Sequence, residues 1–227
     1  MRLLAIGDIH GCLLMFDDLL AIVKPTPEDV VVTLGDYVDR GPDSRGVLNR
    51  LIELKKSGTR LVCLRGNHEI MMLAAREDAS EQKMWLGVGG LQTLGSYGTA
   101  PGRTGSLADV PREHWNFLRD ELVDYHETER HIFVHATVHR DRDMIEQSDE
   151  WLFWEFLRDD MRHCSGKTVI CGHTSQKTGE IKVVPGGACI DTFAHGGGWL
   201  SCLDALSGKY WQVNFLGQPR EGRIEFQ

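Results

Sequence analysis

The chain has 227 residues, of which 26% are charged and 41% hydrophobic; it is long enough to bury a full core, and this composition excludes a disordered polymer. A formal net charge of -8 with no basic stripe disfavours a nucleic-acid footprint and leaves carboxylates to spare for divalent cations. Nothing approaches a transmembrane span, and the apolar start at Leu3 to Ile6 is broken by Asp8, which argues against a secretory leader. The six cysteines form no C-x-x-C pair and sit mostly in apolar runs, which reads as reduced, buried thiols in a cytoplasmic protein.

In chain order, RLLAIGD, VVVTLGD and RLVCLRGN are short apolar runs, each ending in Gly beside an Asp or Asn. Between them Leu13, Phe16, Leu19, Leu20 and Val23 keep helical spacing, as do Val47, Leu48, Leu51 and Leu54. Units of about 30 residues alternating strand and helix predict βαβ repeats with parallel strands. Residues 70–115 read as a helix over Ile70 to Arg76, a polar break, then MWLGVGGLQTLGSYG and a Gly/Pro/Thr-rich loop, an excursion packed beside the sheet. HIFVHA and TVICGH are further buried strands, and WLFWEFLRDD is expected as an amphipathic helix. From Ile181 on, short runs between Gly turns predict an antiparallel meander. The expectation is an α/β fold with a mixed second sheet, in a single domain over residues 1–227.

Polar residues collect where the strands end. GDIHG, GDYVDRG, RGNHE, VHA and GHT supply Asp8, His10, Asp36, Asn67, His135 and His173. The C-terminal edge of parallel strands is where open α/β sheets place ligands. Carboxylate, amide and imidazole donors suit Mn²⁺, Fe or Zn²⁺ and not a thiolate site. One ion needs three or four of these groups. All six, with Asp36 bridging through its two oxygens, fit two ions about 3.5–4 Å apart that activate a shared water. Each residue alone has an ordinary explanation, as an N-cap, a turn residue or a buried histidine; six together at strand ends do not. Arg40 and Arg65 lie near the same edge and are candidate phosphate forks. His68 is the candidate general acid, Asp39 its orienting partner, and Glu69 a cap for the following helix.

GDIHG, GDYVDRG and RGNHE together resemble the signature of the phosphoprotein phosphatase family, the metal-dependent Ser/Thr phosphatases among the calcineurin-like metallophosphoesterases. WLGVGGLQTLGSYG and ACIDT…GGWLSCLDALSGKYW are similar to the small bacterial and phage-lambda-type members. The resemblance covers most of the chain. It implies a two-sheet sandwich flanked by helices, with Asp8, His10 and Asp36 on one metal and Asp36, Asn67, His135 and His173 on the other. It also implies His68 as acid with Asp39, and Arg40 and Arg65 on phosphate. This chain departs from the family pattern at Thr137, in place of a Gly after VHA, and at Phe193, where IDTG becomes IDTF. Phe156 stands where small bacterial members carry a further phosphate-binding Arg, and Arg158, two residues on, is not expected to reach back.

The resemblance therefore implies hydrolysis of phosphoserine or phosphothreonine in a protein or peptide, with two divalent ions, Mn²⁺ foremost. The alternative is a symmetrical dinucleoside tetraphosphatase, or a broad phosphomono- and diesterase acting on nucleotides. Tetraphosphatases of that type read V-A-R-G and GNHD, whereas this chain has Asp39 and Glu69. A non-catalytic binding module is a third possibility, against which the complete ligand and acid set argues.

Overall fold

The computed structural model describes residues 1–98 and 103–226. Two mixed sheets stack face to face. The first has the order β11-β10-β9-β1-β2-β3, built from Pro219–Arg223, Lys209–Asn214, Trp199–Asp204, Leu3–Ile6, Val30–Thr33 and Arg60–Cys63 respectively. The second has the order β4-β5-β6-β8-β7, from Tyr125–Glu127, His131–Val134, Thr168–Cys171, Gly187–Cys189 and Lys182–Val184. As the βαβ spacing predicts, β1, β2 and β3 run parallel, with Ile6 in register with Thr33 and Thr33 with Cys63.

The period-two alternation of the strands explains the layering. Leu3 and Ala5 of β1 meet Phe133 of β5 and Ile170 of β6 in the cluster between the sheets. Leu4 and Ile6 point the other way, onto α1 (Leu13–Val23) and α2 (Ser44–Lys56), through Phe16, Leu19, Val47 and Leu51. Ile132, Val134, Val169 and Cys171 form the outer layer of the second sheet with Leu152, Phe153 and Met161. Strands buried on both faces take few polar residues, which is why β1 (LLAI) reads as a continuous apolar run. The Asp43 carboxylate starts α2 by accepting from the Gly46 N–H at 2.7 Å, and Lys55 and Lys56 complement the dipole at its end.

Three expectations change. The helix foreseen at residues 70–76 is longer, as α3 (Asn67–Glu77), and begins on the metal-ligand candidates themselves. The WLFWEFLRDD helix is a single turn at Glu150–Trp154; Glu155 is already extended (φ −71°, ψ 133°). Its chain leaves the helical path because the Leu157 N–H donates to Thr174 Oγ1 (2.8 Å) and the Trp154 carbonyl is held by His173 (3.2 Å). The C-terminal meander is divided between the sheets: β8 pairs parallel to β6, whereas β9 pairs antiparallel to β1. Residues 190–198 therefore cross from one sheet to the other. Residues 99–102 of the Gly/Pro/Thr-rich loop lie outside the described residues. No helix among the described residues is long and apolar enough to cross a membrane.

Candidate active site

Every strand-end motif delivers its polar residue to one edge. Asp8 and His10 follow β1, Asp36 follows β2, Asn67 and His68 open α3 after β3, His135 follows β5 and His173 follows β6. Two ligand groups result, His10–Asp36–His68 and Asp36–His135–His173, each with donor atoms within 4.8 Å of one another. Asp36 belongs to both. Its Oδ2 lies 3.3 Å from His10 Nε2 and its Oδ1 lies 3.4 Å from His135 Nε2. One carboxylate thus turns one oxygen to each group, the arrangement a bridging ligand needs. Asn67 Oδ1 adds to the second group at 3.0 Å from His135 Nε2.

The imidazole tautomers are assigned by their other nitrogens. His10 Nδ1 donates to the Val38 carbonyl (2.9 Å) and His135 Nδ1 to the Leu34 carbonyl (2.8 Å), so each presents a lone pair at Nε2. His173 is reversed: Nε2 donates to the Trp154 carbonyl, leaving Nδ1 for the site. Burial pushes the His10 pKa well below its ordinary value, and burial together with His135 lowers His173 to about 4. Neutral imidazoles are the ligating form.

Asp8, expected with His10 and Asp36 on one metal, falls in neither group; its carboxylate accepts from the backbone N–H of His173, a member of the second, at 3.0 and 3.2 Å. It is buried, and burial and then the nearby Asp191 and Asp36 carboxylates raise its pKa. Three buried carboxylates so close to one another fit a site completed by cations. Backbone geometry agrees. His10, Asp36, Asp39, Arg40, His173 and Phe193 all have positive φ, between 45° and 72°, at a cost of about 1–2 kcal/mol each. Such strain collects where a structure must aim functional side chains. Two glycines allow the carboxylates their places: a Cβ on Gly66 would collide with Asp36 Oδ1, and one on Gly172 with Asp8 Oδ1.

His68 sits beside this cluster with its Nε2 4.0 Å from Asp36 Oδ2. Its Nδ1 donates to Asp39 Oδ2 at 2.7 Å. Burial works against the His68 charge, but Asp36 and the Asp39 hydrogen bond outweigh it and the pKa is raised. Sequence reasoning foresaw this pair but missed what holds it. Trp85 Nε1 donates to both Asp39 oxygens (3.0 and 2.8 Å), and Thr93 Oγ1 donates to Oδ1 (2.6 Å). Trp85 ends α4 (Ala79–Trp85) and Thr93 lies in α5 (Leu91–Ser96), so the excursion is a clamp on Asp39, the partner of His68. Glu69 does more than cap α3: it accepts from the backbone N–H groups of Gly66, Asp36, Tyr37 and Val38 at 2.8–3.2 Å and so pins the GDYV turn. Burial and then Asp36 lift its carboxyl pKa to about 7.

The two candidate phosphate forks separate. Arg40 Nη1 lies 3.1 Å from His10 Nε2 and 3.2 Å from His195 Nε2, within the site. Arg65 is instead paired with Asp124 at 2.6 Å and reaches the Leu122 carbonyl. Arg158 binds Glu155 (3.0 Å) and lies 4.4 Å over the Trp151 ring, so it does not replace the arginine absent at Phe156. Phe156 stacks on His173 with ring centroids 5.5 Å apart. His195, which sequence reading passed over, sets its ring edge-on to His10 at 4.8 Å and to Phe193 at 4.9 Å. The only signal for it was its place two residues after the altered IDTF segment.

The sequence profile of the calcineurin-like phosphoesterases matches residues 1–187. The chain belongs to the calcineurin-like phosphoesterase family. Both ligand groups, the candidate metal centre, lie within the matched residues. Over 86 residues the chain is 43% identical to Serine/threonine-protein phosphatase 1 of Salmonella typhimurium, covering 37% of each chain. Over 141 residues it is 36% identical to the symmetrical bis(5'-nucleosyl)-tetraphosphatase of Paracidovorax citrulli, covering 61% of this chain and 45% of that one. The aligned segments thus span less than half of either relative. The crystal structure of a candidate diadenosine tetraphosphatase superposes with a TM-score of 0.67 at 20% identity, over 99% of this chain and 94% of that one. A protein serine/threonine phosphatase of Saccharomyces cerevisiae gives 0.60 at 14% identity, over 90% and 73%. At such identities these superpositions establish the fold alone.

Proposed function

We propose that this protein hydrolyses phosphomonoesters of serine and threonine in proteins or peptides. The observation that carries the reading is the buried His68–Asp39 pair. A Ser or Thr alkoxide is a poor leaving group and needs a proton as the P–O bond breaks. With Nδ1–H held by Asp39, the His68 ring turns Nε2 toward the ligand cluster, and a proton on that nitrogen is the one to deliver. Four hydrogen bonds from three side chains fix Asp39, so the ring cannot swing away. The nucleoside polyphosphate released by a tetraphosphatase leaves readily as an anion and makes no such demand.

Asp8, His10 and Asp36 would hold one divalent ion, and Asp36, Asn67, His135 and His173 the other, with Mn²⁺ as the first candidate. Bound there, such ions supply Lewis-acid activation of water and neutralise phosphate charge. Arg40 contributes from the chain itself: its planar fork points at the cluster and matches two phosphoryl oxygens. His10 Nε2 cannot serve a metal and accept from Arg40 together, so metal loading frees the guanidinium for substrate. We place the reaction in one domain of a cytoplasmic protein, in keeping with six free cysteines.

A second reading is symmetrical dinucleoside tetraphosphate hydrolysis, favoured by relatives that carry that name. The test is kcat/KM of the purified, Mn²⁺-loaded protein on a phosphothreonine peptide and on diadenosine tetraphosphate, side by side. Preference for the peptide is expected. Preference for the dinucleotide overturns the proposal while leaving the metal ligands in place.

A further inference from the structure

Arg40 and His195 face two ways. On one side they meet His10 of the ligand cluster; on the other they form the mouth of a cleft of about 510 Å³. The rest of the lining is mostly apolar, with Leu13, Leu14 and Met15 at the start of α1, Pro42, Ala194 and Phe215, and one further charged residue, Asp43. The volume falls within the range of about 300–1,000 Å³ in which small ligand groups are bound. Leu14 and Phe215 are 79% and 67% exposed, and no described segment of the chain covers them. Phe215 stands just past β10, close to the α1 start, so two large apolar side chains from distant parts of the chain flank one opening.

The cleft and the candidate acid both adjoin His10. The His10 ring has His68 on one flank, at 4.7 Å between centroids, and His195 on the other, at 4.8 Å. The acid that protonates the leaving oxygen and the mouth of the cleft therefore border the same ring. Arg40 and His195 thus belong to the cleft lining and to the surroundings of His10 at once.

We propose that this cleft is a substrate subsite that takes an apolar side chain next to the phosphorylated residue of a peptide. The inference rests on the phosphopeptide reading above and adds a sequence preference to it. Arg40 and His195 hold the phosphate end, and Leu14 and Phe215 close over the apolar group. Burying one such side chain yields a preference of about tenfold or more.

The test uses two phosphothreonine peptides, identical except that the residues flanking phosphothreonine are leucine in one and glutamine in the other. For the wild-type protein with Mn²⁺, kcat/KM should favour the leucine peptide about tenfold. In the double variant Leu14→Gln, Phe215→Gln the ratio should fall close to one. Both side chains are exposed, and a ratio taken within one preparation cancels any loss of active protein. In Phe156→Ala, on the His173 side, the ratio should persist. Equal turnover of both peptides by the wild-type protein, or a ratio untouched by the double variant, overturns the subsite alone. A ratio abolished by Phe156→Ala and not by the double variant moves the apolar group to the other side and also overturns it. No turnover of either peptide, with p-nitrophenyl phosphate still hydrolysed, overturns the subsite and the phosphopeptide reading together.

Discussion

The indole of Trp85 donates one N–H to both carboxylate oxygens of Asp39, 46 positions earlier in the chain, and both residues are buried. Trp85→Phe keeps most of the volume and deletes the donor. Thr93 and His68 still serve one Asp39 oxygen each, so the loss is that of a hydrogen bond to a charged group, about 1.5–3 kcal/mol of stability. Turnover should fall unequally: about tenfold on a phosphothreonine peptide, where an oriented acid matters, and little on p-nitrophenyl phosphate. Equal losses on both would show that Trp85 acts on the fold and not through His68.

His68 itself makes the sharper case. His68→Asn should lower kcat on alkyl phosphates by about 10²–10⁴-fold, the usual contribution of a positioned acid. p-Nitrophenolate needs little protonation, so its hydrolysis should suffer much less. Matching losses on the two substrates would count against the acid assignment.

Arg40 and Arg65 were equivalent candidates in sequence and are not equivalent in space. Arg40 touches the ligand cluster, whereas Arg65 is engaged by Asp124. Arg40→Ala should reduce kcat/KM by about 100-fold or more, as expected when a charge-assisted bidentate contact to phosphate is lost. Arg65→Ala should cost less than about tenfold, consistent with removal of a partly exposed ion pair. Steady-state kinetics on one phosphopeptide decide the order, and the reverse order would restore Arg65 as the fork.

Gly172 offers a test of Asp8 that leaves every ligand candidate intact. A Cβ there would strike Asp8 Oδ1. Gly172→Ala should displace the carboxylate and weaken metal binding by about 10–100-fold, as disturbance of a ligand's support does. Metal content after dialysis against graded Mn²⁺ reports this directly, whatever the activity. Unchanged Mn²⁺ retention would remove Asp8 from the ligand set.

Far from the site, Asp29 is buried and takes hydrogen bonds from the Arg2 N–H and guanidinium and from Thr26. The Arg2 hydrogen bond leads in holding its carboxyl below the usual carboxylate range. A group depressed on folding stabilises fully above its unfolded pKa and loses that contribution as pH falls toward the folded one. Asp29→Asn should therefore lower Tm at pH 7, by about 2 kcal/mol in stability. The gap should narrow below about pH 4, where the unfolded carboxylate protonates. Melting curves between pH 3 and 7 check it; a gap that widens on acidification contradicts the assignment.

The sequence by itself determined the βαβ framework and the ligand candidates. Their signals are local: an apolar run long enough for one buried strand, then a Gly and a polar residue where the strand must stop. His10, Asp36 and His135 could be placed because parallel strands bring successive C-terminal ends to one edge. The tertiary structure alone decided what surrounds them. Trp85 and Thr93 meet Asp39 only through the packing of α4 and α5, and Arg65 turns away only because Asp124 comes near it. The apolar spacing of WLFWEFLRDD is helical, yet the helix stops after one turn because Thr174 and His173 offer its backbone other partners. His195 reaches Arg40 because β8 and β9 join different sheets, so the segment between them must cross the site. Contacts across so many residues depend on which strand pairs with which, and periodicity along the chain carries no record of that choice.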